Sequence, residues 1–537
     1  MEAISGGEAL VRGLEAQGVD TVFGLPGAQI YGLFDALARS NRIRVIGARH
    51  EQACGYMAFG YARASGRPGV YSVVPGPGIL NTGAALITAL GGNEPVLCLT
   101  GQVPSPFLGK GRGHLHEMPD QLATLQGLTK WSGRVDHPSA VPMQMGRAFQ
   151  EMMSLRRGPA ALEMPWDQFT ARAPVAFTEP PALYPEPPID IDKVKDAAAA
   201  MAAAKAPMIF VGSGAIEAAK AVRALAERIG APVVGFRSGR GIVSEREPLG
   251  LTIADAYELW AETDLVIGIG TRLEVPGWRW SWRPDGQKTI RIEIDAAELR
   301  RAPGDADILG GSAAAIAALH AELDRVGAER ARRDDAIAAA KAKAAKEIQE
   351  IQPHYDYLRA LRDVLPDDGI VTDELCQTGF ASWYAYPVYK PRTFLSSGYQ
   401  GTLGSGFATA LGAKVAQPDA PVVSICGDGG FMFAVQELST AVQYGIAVTV
   451  LVFNNSSYGN VRRDQQQQFE GREIASALEN PDFMKLAESF GVDGARVETP
   501  DALKPILERA LASGRPNLIE IPLDLKDEVS PWRFIHR

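Results

Sequence analysis

A chain of 537 residues is too long for one hydrophobic core, and at ~150 residues per domain it calls for three or four. Hydrophobic residues make up 46% and charged residues 22%, as in ordinary soluble proteins, and no uncharged apolar run reaches the ~18–20 residues of a membrane span. The 54 basic and 63 acidic residues leave a net charge of −9 without a basic stripe, so neither a membrane nor nucleic acid is an expected partner.

The start, Met1 to Ser5, lacks a basic and then apolar leader and runs into a helical pattern at Ala9, Leu10 and Leu14, which places the chain in the cytoplasm as an expectation. Short Val/Ile-rich runs, each followed by glycine and then by helical periodicity, recur at Val70–Val74, Val96–Thr100, Met208–Val211, Leu265–Ile269, Val422–Ile425 and Val448–Phe453. Continuous apolar strands alternating with helices indicate parallel sheets covered on both faces.

Two stretches divide the chain. Arg172 to Pro188 carries six prolines and reads as an extended linker, because proline fits neither a helix interior nor a central strand. Glu329 to Glu350 mixes alanine with charged residues and reads as an exposed connecting helix. The expected fold is α/β, with three consecutive doubly wound parallel-sheet domains at 1–172, 190–327 and 354–537. Cys54, Cys98, Cys376 and Cys426 form no C-x-x-C pair and suit reduced, buried thiols. Trp278-Arg279-Trp280-Ser281-Trp282-Arg283 alternates indoles with polar residues, as a stacking platform or a packed edge strand would.

The segment from Pro421 is the most informative. An apolar strand ends at Gly427-Asp428-Gly429-Gly430, a helix with Gln436-Glu437-Leu438 follows, and a second strand runs to Phe453 before Asn454-Asn455. Ligand-type residues thus fall at carboxyl ends of strands, where open α/β sheets bind ligands. Mg²⁺ takes six oxygens at ~2.1 Å, and an Asp carboxylate, an Asn amide oxygen, a main-chain carbonyl and phosphate oxygens supply them. The glycines let main-chain N–H groups approach a diphosphate.

Gly427-Asp428-Gly429 followed at this distance by Asn454-Asn455 resembles the signature of thiamine-diphosphate-dependent enzymes. Gly24-Leu25-Pro26-Gly27, Arg49-His50-Glu51-Gln52-Ala53, Gly76-Pro77-Gly78 with Asn81, and Gly101-Gln102-Val103-Pro104 are similar to the pyrimidine-binding domain of the acetolactate synthase group. Gly398-Tyr399-Gln400-Gly401-Thr402-Leu403-Gly404 extends the likeness, which spans nearly the whole chain.

The resemblance implies that residues 1–172 bind the cofactor's pyrimidine, that 190–327 form a central domain and that 354–537 bind its diphosphate and Mg²⁺. Asp428, Asn455 and the main-chain oxygen of Ser457 are the implied metal ligands. Gly27, Glu51, Gly76 and Asn81 are implied cofactor neighbours in the first domain; Gln377, Gly401, Leu403 and Gly427 are implied in the third. Gly429, Gly430, Tyr458, Gly459 and Asn460 complete that set, and Leu375 and Cys376 align near the diphosphate. Leu403 takes the place of the bulky apolar side chain beneath the bent cofactor, where the synthases usually carry methionine.

Glu51 is implied as the carboxyl group hydrogen-bonded to the aminopyrimidine, and a buried glutamate with a raised pKa can hand over a proton near neutral pH. The substrate side departs from the relatives. Gln29 stands where benzaldehyde-lyase-type relatives have histidine, His116 where the synthases have phenylalanine, and Glu117 where they have glutamine. His114 and His116 alternate about Leu115 as a proton-handling pair or as a polar loop.

A flavin or other nucleotide, held by the central domain of many relatives, would meet Val211-Gly212-Ser213-Gly214 and Gly268-Ile269-Gly270-Thr271-Arg272, although glycine at strand ends also serves tight turns. FAD is a further cofactor that these segments would admit. The expected activity is an acetolactate synthase-like carboligase acting on a 2-oxo acid or aldehyde in a homodimer or homotetramer, with Glu51, Gln29, His116 and Leu403 at the chemistry. A 2-oxo-acid decarboxylase, a benzaldehyde lyase-type lyase, a flavin-dependent oxidase and a non-catalytic cofactor-binding protein are the alternatives.

Overall fold

A computed structural model describes residues 3–327 and 332–537. Three parallel six-stranded sheets follow one another along the chain; the first and third share one strand order and the second has another. In the first, Arg44–Gly47, Thr21–Gly24, Gly69–Val73, Val96–Gln102, Ala160–Pro165 and Trp131–Arg134 lie side by side. The second runs Gly250–Leu251, Val233–Gly235, Pro207–Val211, Leu265–Ile269, Lys288–Glu293 and Ala306–Leu309. The third runs Phe394–Leu395, Ile370–Thr372, Val422–Gly427, Val448–Asn454, Asn517–Pro522 and Asp493–Arg496. Central strands are apolar and buried throughout, as sheets with helices on both faces require.

What the three orders have in common matters for function. In each sheet the chain leaves its founding strand to one side, then returns to that strand's other side, so a crevice opens between the two carboxyl ends where the direction reverses. The loops after Thr21–Gly24 and Gly69–Val73, after Pro207–Val211 and Leu265–Ile269, and after Ile370–Thr372 and Val422–Gly427 flank these three crevices.

The first and third sheets are joined through helices Glu51–Ser65 and Ser405–Ala416. A Cβ on Gly60 would lie 2.0 Å from the Thr409 carbonyl oxygen, and one on Gly412 would lie 1.9 Å from that of Met57. Glycine at these two positions lets the backbones touch, and from Ala53 to Ala64 every residue of the first helix is buried. Its amino end is capped by His50, whose Nδ1 accepts from the Gln52 N–H at 3.1 Å.

Three details differ from the sequence expectations. The proline-rich linker begins as a strand: Arg172–Pro174 pairs antiparallel with Ala3–Ser5, an edge position where proline is tolerated. The start of the connecting helix lies outside the described residues. From Asp334 to Ile348 that helix is not simply exposed, because Ile337, Ala340, Ala344 and Ile348 form a buried stripe whose small alanines disguise the helical period. The tryptophan segment is not a strand. Val275–Arg279 forms a wide helical turn, Trp280 is buried against Phe210, Tyr257 and Trp260, and Trp278 and Trp282 stay exposed. All four cysteines are free, with Cys376 half-buried and the others buried.

Candidate functional site

The strands Val422–Gly427 and Val448–Asn454 pair in parallel with Gly427 opposite Phe453, so Asp428 and Asn455 emerge from adjacent strand ends. Asp428 is 2% exposed. Burial raises its carboxyl above the usual range, opposed first by Asn480, whose Nδ2 donates to Oδ2 at 2.6 Å. Asn480 also donates to Asn454 Oδ1 at 2.9 Å, which occupies the first asparagine of the pair in the scaffold. The second, Asn455, accepts from Ser457 Oγ at 3.0 Å and donates from Nδ2 to Glu528 Oε1 at 2.7 Å. The loop is held from outside by a bridge between Ser457 and Ala477 and by the Tyr458 N–H on the Ser476 carbonyl.

These groups line a cavity of about 390 Å³, within the range of small-molecule sites. It brings together Leu375, Cys376, Gln377, Gly401, Leu403, Gly427, Asp428, Gly429, Gly430, Asn455, Ser457, Tyr458, Gly459 and Asn460. Gln377 Nε2 donates to Asn460 Oδ1 at 3.3 Å, while Gln377 Oε1 is buried without a hydrogen bond. His354 Nε2 is likewise unpaired, lying 3.3 Å from Glu528 Oε2 without hydrogen-bond alignment. An unpaired buried polar atom costs ~1–3 kcal/mol, so polar groups left open beside hard oxygen donors fit a diphosphate held with a hard cation.

The glycines have a second reason to be small. A Cβ on Gly429 would lie 2.6 Å from the Tyr458 ring, one on Gly430 2.8 Å from the Glu374 carboxyl group, and one on Gly459 2.7 Å from Asn455 Nδ2. Close packing within the protein already demands glycine there.

Sequence reading passed over Glu374, His354, Asn480 and Glu528. The Asp373-Glu374 pair carried a signal, being two carboxylates directly after the strand Ile370–Thr372. Glu374 is 2% exposed, and burial pushes its carboxyl up to about 7 although Oε1 accepts the Gly404 N–H. That contact pins the turn carrying Leu403 from below. Gln52 Nε2 pins it from the first domain by donating to the Leu403 carbonyl at 3.3 Å. His354, Asn480 and Glu528 had no local signal, since only tertiary packing brings them to the site.

In the first domain, Glu51 opens its helix and accepts from Asn81 Nδ2 at 3.0 Å. It is half-buried within the chain, not buried as expected, because it lies at the rim of the crevice. Gln29, 1% exposed and at φ +74°, donates from Nε2 to the Leu115 carbonyl at 2.6 Å and meets His116 Nδ1 through Oε1 at 2.9 Å. Partial burial lowers the His116 pKa, with the Glu51 carboxylate opposing.

Gly76, at φ +63°, lets this loop approach: a Cβ there would lie 2.6 Å from the His116 carbonyl oxygen. Gly27 is small for Val74, 2.6 Å from its would-be Cβ. His114 and His116 have separate partners. His114 lies on the Phe107 ring, with ring centroids 3.9 Å apart, and its main-chain N–H donates to Glu117 Oε2. Glu117 closes its own loop by accepting from the Gly111 and His114 N–H groups at 3.0 and 2.9 Å.

A second cavity of about 340 Å³ opens at the crevice of the middle sheet, with Gly212, Gly214, Arg272 and Glu293 in its wall beside residues of both other domains. A Cβ on Gly212 would lie 2.4 Å from the Gly270 carbonyl oxygen and one on Gly214 2.8 Å from Gly270 Cα, so these glycines serve loop-on-loop packing. Among the described residues no helix is long and apolar enough to cross a membrane.

Comparison with known proteins agrees with the geometry. Models of the thiamine pyrophosphate enzymes match three segments: the N-terminal TPP binding domain over residues 4–124, the central domain over 194–319 and the C-terminal TPP binding domain over 376–521. A probable 2-ketoarginine decarboxylase of Pseudomonas aeruginosa is 34% identical, over 97% of this chain and 94% of its own. A probable acetolactate synthase large subunit of Methanocaldococcus jannaschii is 33% identical over 97% and 92%. The acetolactate synthase isozyme 1 large subunit of Escherichia coli is 30% identical over 98% and 95%.

Proposed function

The chain belongs to the thiamine pyrophosphate enzymes, and on that footing we propose that it is a thiamine-diphosphate-dependent carboligase, acetolactate synthase-like, acting on a 2-oxo acid or related carbonyl donor. The observation that carries this reading is the cavity at the third crevice, where Asp428, Asn455 and Ser457 meet Gly427 to Gly430 and Leu403. When bound, the cofactor supplies the electron sink that lets a bond beside a carbonyl break or form. Asp428, Asn455 and the main-chain oxygen of Ser457 would hold Mg²⁺, and Leu403 would supply the apolar support for the cofactor. Glu51 is the carboxyl group that would meet the aminopyrimidine, and Asn81 orients it by donating from Nδ2 to Oε2 at 3.0 Å.

The division into a pyrimidine-binding unit at 1–172, a central unit at 190–327 and a diphosphate-binding unit at 354–537 belongs to the same proposal. The residues lining the cavity all fall between His354 and Glu528, and Glu51 is not among them. This supports a cofactor held between the first domain of one chain and the third of another, in a homodimer or homotetramer. FAD would occupy the middle cavity, and a colourless purified protein excludes it.

One observation favours a second reading, 2-oxo-acid decarboxylase. His116, held through Nδ1 by Gln29 Oε1 at 2.9 Å, places an imidazole in the loop over Gly76, and a similar protein is named as a decarboxylase. The test is incubation with pyruvate and a panel of longer 2-oxo acids under thiamine diphosphate and Mg²⁺. Acyloin or acetohydroxy acid formation supports the ligase. Aldehyde without either product overturns it in favour of the decarboxylase.

A further inference from the structure

The asparagine assigned to the metal has an amide whose two ends are nearly alike in shape but opposite in chemistry. Only Oδ1 can bind Mg²⁺, and a flipped amide would present N–H to the cation. In this chain the orientation is set from the far side. Glu528, on the tail beyond the last sheet strand, places Oε1 2.7 Å from Asn455 Nδ2. A carboxylate accepts only, so the atom facing it must be the N–H₂ group. Ser457 Oγ donates to Oδ1 at 3.0 Å, the same orientation read from the other edge.

Glu528 is itself held. It is 8% exposed and packs beside His354, fully buried and tied through Nδ1 to Thr378 Oγ1 at 2.9 Å, whose Nε2 lies 3.3 Å from Oε2 without hydrogen-bond alignment. The next residue anchors the tail, Val529 N–H donating to the Gln352 carbonyl at 2.8 Å. Arg463 Nη2 reaches the Glu528 carbonyl at 3.4 Å. Glu528 and His354 both lie outside the segment matched by the C-terminal family model, which spans residues 376–521.

We infer that Glu528 is a positioning residue for the metal ligand Asn455, presenting its Oδ1 to the cation by holding its Nδ2. The inference rests on the metal reading above. Groups that orient a metal ligand are typically worth about 10–100-fold in metal affinity, so Glu528→Leu weakens the metal by at least about 10-fold. Glu528→Gln keeps an oxygen that accepts from Nδ2 and stays within about 3-fold of the wild type, since orientation and not charge is the cause.

Mn²⁺ is the probe, titrated by electron paramagnetic resonance into the full-length enzyme with saturating thiamine diphosphate. Asn455→Leu marks loss of the site. A leucine variant that binds as tightly as the wild type overturns the inference, and so does a glutamine variant that falls as far as leucine. Should the leucine variant fail to fold, Glu528→Asp, one methylene too short to reach Nδ2, takes its place, with the same loss expected and unchanged affinity refuting. Wild type that takes up no Mn²⁺ instead overturns the metal reading, and the role of Glu528 falls with it.

Discussion

Glu374→Gln is the sharpest probe of how the cofactor turn is built. The carboxyl is buried beneath the Gly404 N–H and rises from 4.5 to about 7 because burial disfavours its charged form. The native state therefore keeps a proton that the unfolded chain releases. Its contribution is fully present below about pH 4.5 and is lost as pH rises through about 7, after which the loss levels off. At 2.303RT per pH unit that rise corresponds to about 3 kcal/mol.

Glutamine stays neutral and keeps an oxygen for the Gly404 N–H, so the variant escapes this loss. Asp373, also raised by burial, to about 6, titrates in both proteins and leaves most of the difference to Glu374. The assay is denaturant unfolding of cofactor-free protein from pH 5 to 8.5, followed by a probe of the third domain. Variant minus wild-type stability should climb in the variant's favour with pH and then flatten. A difference that does not change with pH refutes the assignment of a buried, proton-holding carboxyl.

Glu51→Gln should abolish turnover while equilibrium dialysis still finds thiamine diphosphate bound; unchanged turnover would refute its role. In Gly412→Val the new side chain begins 1.9 Å from the Met57 carbonyl oxygen, and unfolding should show a loss of roughly 1–3 kcal/mol or more. Trp280→Ala should cost about 3–5 kcal/mol in the same measurement. Exposed Trp278→Ala should stay within about 0.5 kcal/mol. Equal effects at the two tryptophans would refute the packing described for that turn.

Much of this protein was legible without coordinates. Runs such as Leu265–Ile269 and Val448–Asn454 carry their strand character in consecutive apolar residues, and the punctuation by glycine and proline marked where the chain turns. The Asp428 and Asn455 pairing was readable because both residues follow strands that must be neighbours for the intervening helix to fit. Alanine hid the buried stripe of Asp334–Ile348, since a small side chain weakly signals which face it lies on.

What sequence determined by itself is therefore local: strand and helix type, the three α/β blocks and the chemistry of the residues at strand ends. Tertiary structure alone decided that Glu528 meets Asn455 with His354 beside it, that Glu374 and Gln52 grip the Leu403 turn, and that Glu51 sits at a rim and not in an interior. The reason is distance along the chain. Asn455 and Glu528 are far apart in sequence, and nothing in either neighbourhood encodes their meeting. Only the crossing of the parallel strands and the return of the C-terminal tail bring a carboxylate to the amide that needs it.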